Sequence, residues 1–464
     1  MTMIRIPSLG WRRVSHRFTP VALVALLSAC ATHRVQPDAG LTIPQGWTQA
    51  ASAPQAEAGT SVSPWWESLG DPKLNRLIEQ AQARNPNLAL AALKVRRAQL
   101  VAGQAASDQL PTVSVKGSST ASRPLDGGPT TRVQALTGSV SWEADLWGRL
   151  ASLKDAAEWE AQATEEDRLA AALSLSATVA NLYWQIAYLN QRVEASQQSI
   201  DYANRTLNLV QVQYKAGDVS GLELAQAQQA LAAQQAAHAQ WLQQRVQARN
   251  ALAILFDAPP SQVQPEDTRL NEGPLPAVAP GLPASLLTRR PDLRAAQWRL
   301  RKALANVDAT RTSFYPTLTL TGSVGGTSTD LSKVLSDPVG TLGAGLVLPF
   351  MQWRDMQRNV AVSQTDYEIA VVGYRQAWYQ ALSDVENALA ARQLYEQQGQ
   401  QLELAYQSAV QAERLSEVRY RAGAAPLKTW LDAQESRRQA EITLAQNRLN
   451  RLNALATLHQ ALGG

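Results

Sequence analysis

Leu110-Pro111-Thr112-Val113-Ser114-Val115 returns 205 residues later as Tyr315-Pro316-Thr317-Leu318-Thr319-Leu320. In both stretches apolar residues alternate with polar ones directly after a proline. Period two marks a strand with one apolar and one polar face. In the second copy Leu318, Leu320 and Val324 alternate with Thr317, Thr319, Thr321 and Ser323. In the first, Val113 and Val115 alternate with Thr112, Ser114 and Lys116. Each strand is followed by a polar loop (122–132 and 327–338) and a returning strand (133–143 and 341–350). In the second returning strand Leu342, Ala344, Leu346, Leu348 and Phe350 alternate cleanly. In the first the apolar phase is shifted by one under the same offset, as a bulge or a local gap would cause.

The repetition extends outward from these strands. Asn85-Pro86-Asn87-Leu88 matches Arg290-Pro291-Asp292-Leu293 at the same offset, and Trp147-Gly148-Arg149 matches Gln352-Trp353-Arg354 approximately. Further on, Tyr214-Lys215-Ala216-Gly217 matches Tyr420-Arg421-Ala422-Gly423 at an offset of 206. One added residue across about 140 positions indicates a tandem duplication. The repeats are expected over 64–258 and 284–464, with β-hairpins at 110–143 and 315–350, joined by a proline-rich linker at 259–283.

Each half reads as helix, strand pair, very long helix, turn, helix. The first helices are expected at 73–109 and 291–313, and the long ones at 149–215 and 353–421. In the first long helix Val179, Leu182, Ile186, Leu189, Val193, Ser196, Ile200, Ala203, Leu207, Val210 and Tyr214 fall at steps of three and four. That is a coiled-coil seam. The second seam is smaller, with Ala405, Ala409 and Ala412. At 1.5 Å per residue, each helix is about 100 Å long, more than a globular core requires. Ser220-Gly221-Leu222-Glu223 is a capping box opening the returning helix, and Pro426 replaces the serine in the second copy. The first returning helix is rich in Ala and Gln. Its polar face suits either bulk solvent or the wall of a water-filled space.

The chain has 464 residues, with 43 Lys+Arg, 39 Asp+Glu, four His and one Cys. One cysteine excludes a disulfide framework and a Cys-based zinc site. With 18% charged and 45% hydrophobic residues it is neither a disordered polyelectrolyte nor a helical membrane bundle. Thirteen Trp and eleven Tyr against four Phe favour rings with one wet end. Residues 1–29 carry Arg5, Arg12, Arg13 and Arg17, no acid, and a short apolar run at 21–27, the pattern of a secretory signal. Ending in Leu27-Ser28-Ala29-Cys30, it resembles a bacterial lipoprotein signal, which implies Cys30 as the lipidated first residue of the mature chain. Ala31 after it favours the outer membrane. Residues 30–63 read as an extended tether without a core. Removing the signal balances acids and bases, so the pI of about 9.2 lends no support to nucleic-acid binding.

No apolar run is long enough for a transmembrane helix, so a membrane crossing requires a closed β-barrel. Four strands cannot close one. Two chains would supply eight strands around a filled interior, and three would supply twelve around a lumen. The expectation is a homo-oligomer with a membrane barrel above a long helical tube.

Trp65-Trp66-Glu67 with Asp71-Pro72-Lys73-Leu74, Ser141-Trp142-Glu143-Ala144-Asp145-Leu146-Trp147-Gly148-Arg149, Arg289-Arg290-Pro291-Asp292-Leu293 and Leu431-Asp432-Ala433-Gln434, taken in order, resemble the TolC-like outer-membrane efflux lipoproteins of the NodT and OprM type. The resemblance implies a mainly helical chain with membrane β-structure: a trimeric twelve-stranded β-barrel, four strands per chain, continued by a long periplasmic α-helical barrel with an irregular equatorial belt. It implies the exit duct of a tripartite pump in the outer membrane. The partners would be a periplasmic adaptor (a membrane fusion protein), an inner-membrane transporter of the resistance-nodulation-division class, and outer-membrane lipid. Neither cofactor nor metal is expected.

By the same resemblance, the turns holding Gly217 and Asp218, and Gly423 and Ala424, are the tips facing the adaptor. From the residues alone they are turns. Asp432 matches an acidic ring near the closed periplasmic end. The family's apolar position one turn earlier is Lys428 here, so a Lys428–Asp432 pair at i,i+4 could latch the tip. No enzyme is expected: His16 and His33 precede the repeats, His238 and His459 stand alone, and no nucleotide or nucleophile motif occurs. The alternative is a periplasmic coiled-coil spacer or adaptor lipoprotein, which would not need the alternating strands.

Overall fold

The computed structural model describes residues 40–48 and 64–464, apart from 263, 272 and 282. The signal segment and Cys30 lie outside them. From Thr42 onward the chain forms one unit. Its helices are α1 (Pro72–Arg84), α2 (Pro86–Ser107), α3 (Arg149–Ala216), α4 (Gly221–Ile254), α5 (Leu286–Arg289), α6 (Pro291–Thr312), α7 (Trp353–Arg421) and α8 (Leu427–Leu462). Its strands are β1 (Thr112–Ser122), β2 (Thr131–Ala144), β3 (Thr317–Ser328) and β4 (Val339–Val347).

The first helix is two helices. Asn85 is extended (φ −63°, ψ 125°), and its side chain accepts the backbone N–H of Leu88 to start α2. Pro86 lacks the N–H that would continue α1, and a residue before proline avoids the helical region. Asp71 caps α1 by accepting from the N–H groups of Lys73 and Leu74. The Ser220–Glu223 capping box is present at α4. Pro426 is the N-cap of α8 and precedes its first turn.

The four strands form one antiparallel sheet in the order β1-β2-β3-β4, so β1 and β4 are its edges. Val113 opposes Val140, Val140 opposes Gly322, and Gly322 opposes Leu342. This register gathers Val113, Val115, Leu136, Val140, Leu320, Val324, Leu342 and Leu346 on one face. Thr112, Ser114, Ser139, Ser141, Thr321, Ser323 and Thr341 lie on the other. The ladders run without a bulge. Thr112 opposes Ser141, but its repeat equivalent Thr317 opposes Val347. The outgoing strands are therefore related by 205 residues and the returning strands by 206. The extra residue lies in the hairpin loop, which is why the apolar phase shifted. On this alignment Trp147 matches Trp353. Phe350 falls outside β4, in a turn at Pro349–Met351, because Pro349 has no N–H for the ladder.

The main core lies midway along the long helices. Trp65, Trp66, Leu74, Leu77 and Ile78 pack on Val179, Tyr183, Trp184 and Ile186 of α3, with Leu252 of α4 and Leu452 of α8. The seam of α3 is buried or half-buried as far as Val210, while Tyr214 is exposed. On α7, Ala405 and Ala412 are exposed, since nothing among the described residues covers that side of the helix. The linker joins the core: the Tyr183 hydroxyl lies 2.5 Å from Asp267 and 2.9 Å from Asp71, and Lys73 donates to Asp267 at 2.5 Å. Burial alone would raise the Asp267 carboxyl, but the bonds from Lys73 and Tyr183 hold it below its usual range. The segment expected as a coreless tether also meets the rest of the chain, through Thr42, Trp47 and Thr48. Trp47 is buried and donates its indole N–H to the Gly281 carbonyl at 2.8 Å.

Candidate functional site

The two helical hairpins end in equivalent turns. Gly217 (φ 82°) and Gly423 (φ 70°) are left-handed, where an L side chain would be strained. The N–H of Asp218 reaches back to the Gln213 carbonyl at 2.9 Å, and that of Ala424 to Arg419 at 2.8 Å. This bonding satisfies carbonyls that a helix end leaves free. Gly217, Asp218, Gly423 and Ala424 are all exposed, so each tip presents backbone and small or acidic side chains to solvent. Two turns of one geometry, from separate repeats, are held side by side.

An aromatic clasp that the sequence reading missed holds them. Trp430 is packed among Val210, Ala227 and Leu427. Its ring stacks on Tyr420 (centroids 5.2 Å, planes at 27°) and meets Tyr202 edge-on at 6.0 Å. The Tyr420 hydroxyl donates to Gln213 Oε1 at 2.7 Å. Tyr202, Val210 and Gln213 belong to α3 and Ala227 to α4, so the clasp joins the α3–α4 hairpin to the α7–α8 hairpin. Burial raises the pKa of both tyrosines, which therefore stay neutral donors at physiological pH. The available signal was the step of three from Leu427 to Trp430 and of four to Gln434, all buried.

Lys428 and Asp432 occupy the opposite, exposed side of α8. Lys428 Nζ reaches Asp432 Oδ1 and Oδ2 at 2.9 and 2.8 Å, so the expected i,i+4 pair is formed. Behind it, Arg437 bridges Glu441 at 3.0 Å and also contacts Glu413 of α7. His238 bonds Ser196 at 2.7 Å, and His459 stacks on Trp65 at 5.2 Å. Among the described residues neither belongs to a cluster of side chains that could hold a metal ion.

At the other end, the sheet has one apolar face exposed to solvent and two unpaired edges. Among the described residues no helix is long and apolar enough to cross a membrane. A sheet of 9–14-residue strands whose outer face is apolar, set on helices about 100 Å long, defines a channel-forming outer-membrane protein with a periplasmic extension.

The family follows from comparison. The model of the outer membrane efflux protein family matches residues 77–256 and 282–464, and the chain belongs to that family, the TolC-like outer-membrane channels. The pyoverdine export outer membrane protein OpmQ of Pseudomonas putida is 33% identical over 94% of this chain and 95% of its own length. The outer-membrane channel OprN superposes with a TM-score of 0.83 at 25% identity, over 93% of this chain and 99% of its own. The open-state MtrE channel of Neisseria gonorrhoeae gives 0.76 at 29% identity, over 93% and 97%. This protein is accordingly an outer-membrane efflux channel. These solved structures are channels, which sets aside the spacer or adaptor reading. Members of the family act in tripartite efflux systems with an adaptor and an inner-membrane pump.

Proposed function

We propose that three copies close a twelve-stranded barrel in the outer membrane, and that the helical tube beneath it passively conducts small compounds delivered from the inner membrane. One observation carries this: a four-stranded sheet with an apolar face ends in two open edges, which hydrocarbon does not tolerate. Three chains join all edges and place the Thr- and Ser-rich face around a lumen. Energy is spent at the inner membrane, so the duct needs no catalytic group. The pump is of the resistance-nodulation-division class, and its adaptor meets the tips at Gly217-Asp218 and Gly423-Ala424. Relatives named for exporting pyoverdine, antibiotics and toluene support a small-molecule cargo.

Asp432 forms the acidic ring at the periplasmic end, latched by Lys428. Their side chains are 61% and 64% exposed, so solvent screens the pair to about 0.3–0.5 kcal/mol. A latch this weak opens readily when an adaptor engages it. Residues 1–29 are removed as the signal and Cys30 carries the lipid. Residues 64–258 and 284–464 act as the two repeats. Planar-bilayer recording of the purified full chain tests the duct; absence of conductance from intact oligomers counts against it. Asp432→Ala tests the gate, which is lost as a proposal if conductance and antibiotic leak stay unchanged.

A further inference from the structure

Because it is duplicated, the chain carries a template of the contact between copies. Its two repeats meet along one side internally, where α3 packs on α6 and α8 and β2 pairs with β3. Among the described residues, no helix or strand packs on the equivalent surfaces at the far sides, α7 with β4 and α2 with β1. Their side chains differ accordingly. On α3, Ala156 and Ala163 are buried; the residues at the same repeat positions on α7 are Val362 and Ile369, 61% and 64% exposed. On α6, Ala295 and Ala305 are buried; their equivalents on α2 are Leu90 and Leu100, 51% and 64% exposed. Four large apolar side chains face water where the other repeat buries alanine. A solvated helix face has no physical reason to enlarge those positions, whereas a face that meets another chain does.

The charges agree. Across the internal contact Lys302 Nζ bonds Glu160 Oε2 at 3.0 Å. The same positions on α2 and α7 are Arg97 and Asp366, opposite in sign and both exposed. The other internal pairs, Arg294–Glu166 and Arg299–Asp167, become Ala89 with Val372 and Lys94 with Gly373. One ion pair is thus kept in kind, the second gives way to an apolar contact, and the third keeps only its cation, Lys94.

We propose that a second copy of this chain docks its α2 and β1 onto α7 and β4 in the register that α6 and β3 use internally, with Arg97 of one copy paired to Asp366 of the next. This rests on the oligomeric reading above and adds its contacts. Internally Gly138 opposes Val324; transferred by repeat position, Ala344 opposes Ser119 of the next copy, Leu342 opposes Ala121, and Leu346 opposes Gly117. The faces supply an independent check. In this register Leu342 and Leu346 continue the side that carries Val113 and Val115. A slip of one residue would join the apolar face of one copy to the polar face of the next.

The test uses the full-length protein assembled in membranes. Directly opposed antiparallel residues have Cα atoms about 4.5–5.5 Å apart, within disulfide reach. Mild oxidation of the double variant Ser119→Cys/Ala344→Cys is expected to link three copies covalently, reversibly by reductant, while each single variant stays unlinked. Failure to link in assembled trimers, or preferential linking of Ala121→Cys/Ala344→Cys, overturns the register. Arg97→Glu and Asp366→Arg should each lower the temperature at which trimers dissociate on gels, and combining them should restore it. A combined loss equal to the sum of the two overturns the pairing. If the unsubstituted protein forms no trimer, the oligomeric reading fails and takes this contact with it.

Discussion

Replacing Trp430 by alanine should loosen the periplasmic end of the channel. The indole is 2% exposed and fills the space among Val210, Ala227 and Leu427, stacked on Tyr420 and edge-on to Tyr202. Truncating a buried tryptophan to alanine costs about 3–5 kcal/mol. Not all of that bears on opening. Leu427 and Tyr420 belong to the same hairpin as Trp430, whereas Val210, Ala227 and Tyr202 belong to the other. Assigning about half to the contact between hairpins gives about 2 kcal/mol. At 1.4 kcal/mol per decade this raises the ratio of open to closed tips about 30-fold. Trp430→Phe keeps a ring in place and should shift it less than about fivefold, a cost under about 1 kcal/mol. The assay is single-channel recording of the full-length protein, with leakage of a large antibiotic into cells as the second readout. An open fraction unchanged in Trp430→Ala trimers, or equal effects from alanine and phenylalanine, would refute the clasp.

Burial, with Arg392 and Arg289 nearby, lowers the pKa of His459 to about 4 from a usual value near 6.5. Below pH 6.5 the unfolded chain takes up the proton first, so stability should fall between pH 6.5 and 4, by on the order of 3 kcal/mol. His459→Phe keeps the stack on Trp65 and should flatten that loss in melting curves; an unchanged pH profile would show that other groups cause it. Gly399→Ala should destabilise by about 1–3 kcal/mol, because the added Cβ would sit 2.8 Å from Asn447 Oδ1. In an ordinary helix interior the same change stabilises by about 1 kcal/mol, so the sign of the shift in thermal midpoint decides the matter. Cys30→Ser should reduce the amount of protein sorted to the outer membrane more than the transport per assembled trimer. Fractionation with a per-trimer efflux assay checks this, and normal sorting with inactive channels would contradict it.

Local patterns carried most of the architecture. Alternation around Val113 and Leu318, the unbroken heptads of α3, and the Ser220–Glu223 box each depend on neighbours a few residues away, so they could be read directly. The break at Asn85-Pro86 was equally local, and the proline was its signal. The hairpin end was less legible. Lys428 and Asp432 are one turn apart and could be paired by counting. Trp430 finds Tyr202 and Val210 more than 200 positions away, so only packing reveals the clasp.

From the sequence alone came the duplication, the two-faced strands, the helices of about 100 Å and the need for partners to close a barrel. These follow from backbone periodicity and from a count of strands. The tertiary structure decided where the extra residue falls, that Trp47 and Asp267 join segments that read as free linker, and which hairpin residues lock together. Those outcomes depend on which surfaces meet, and side chains far apart in the chain settle that by excluding water from one another.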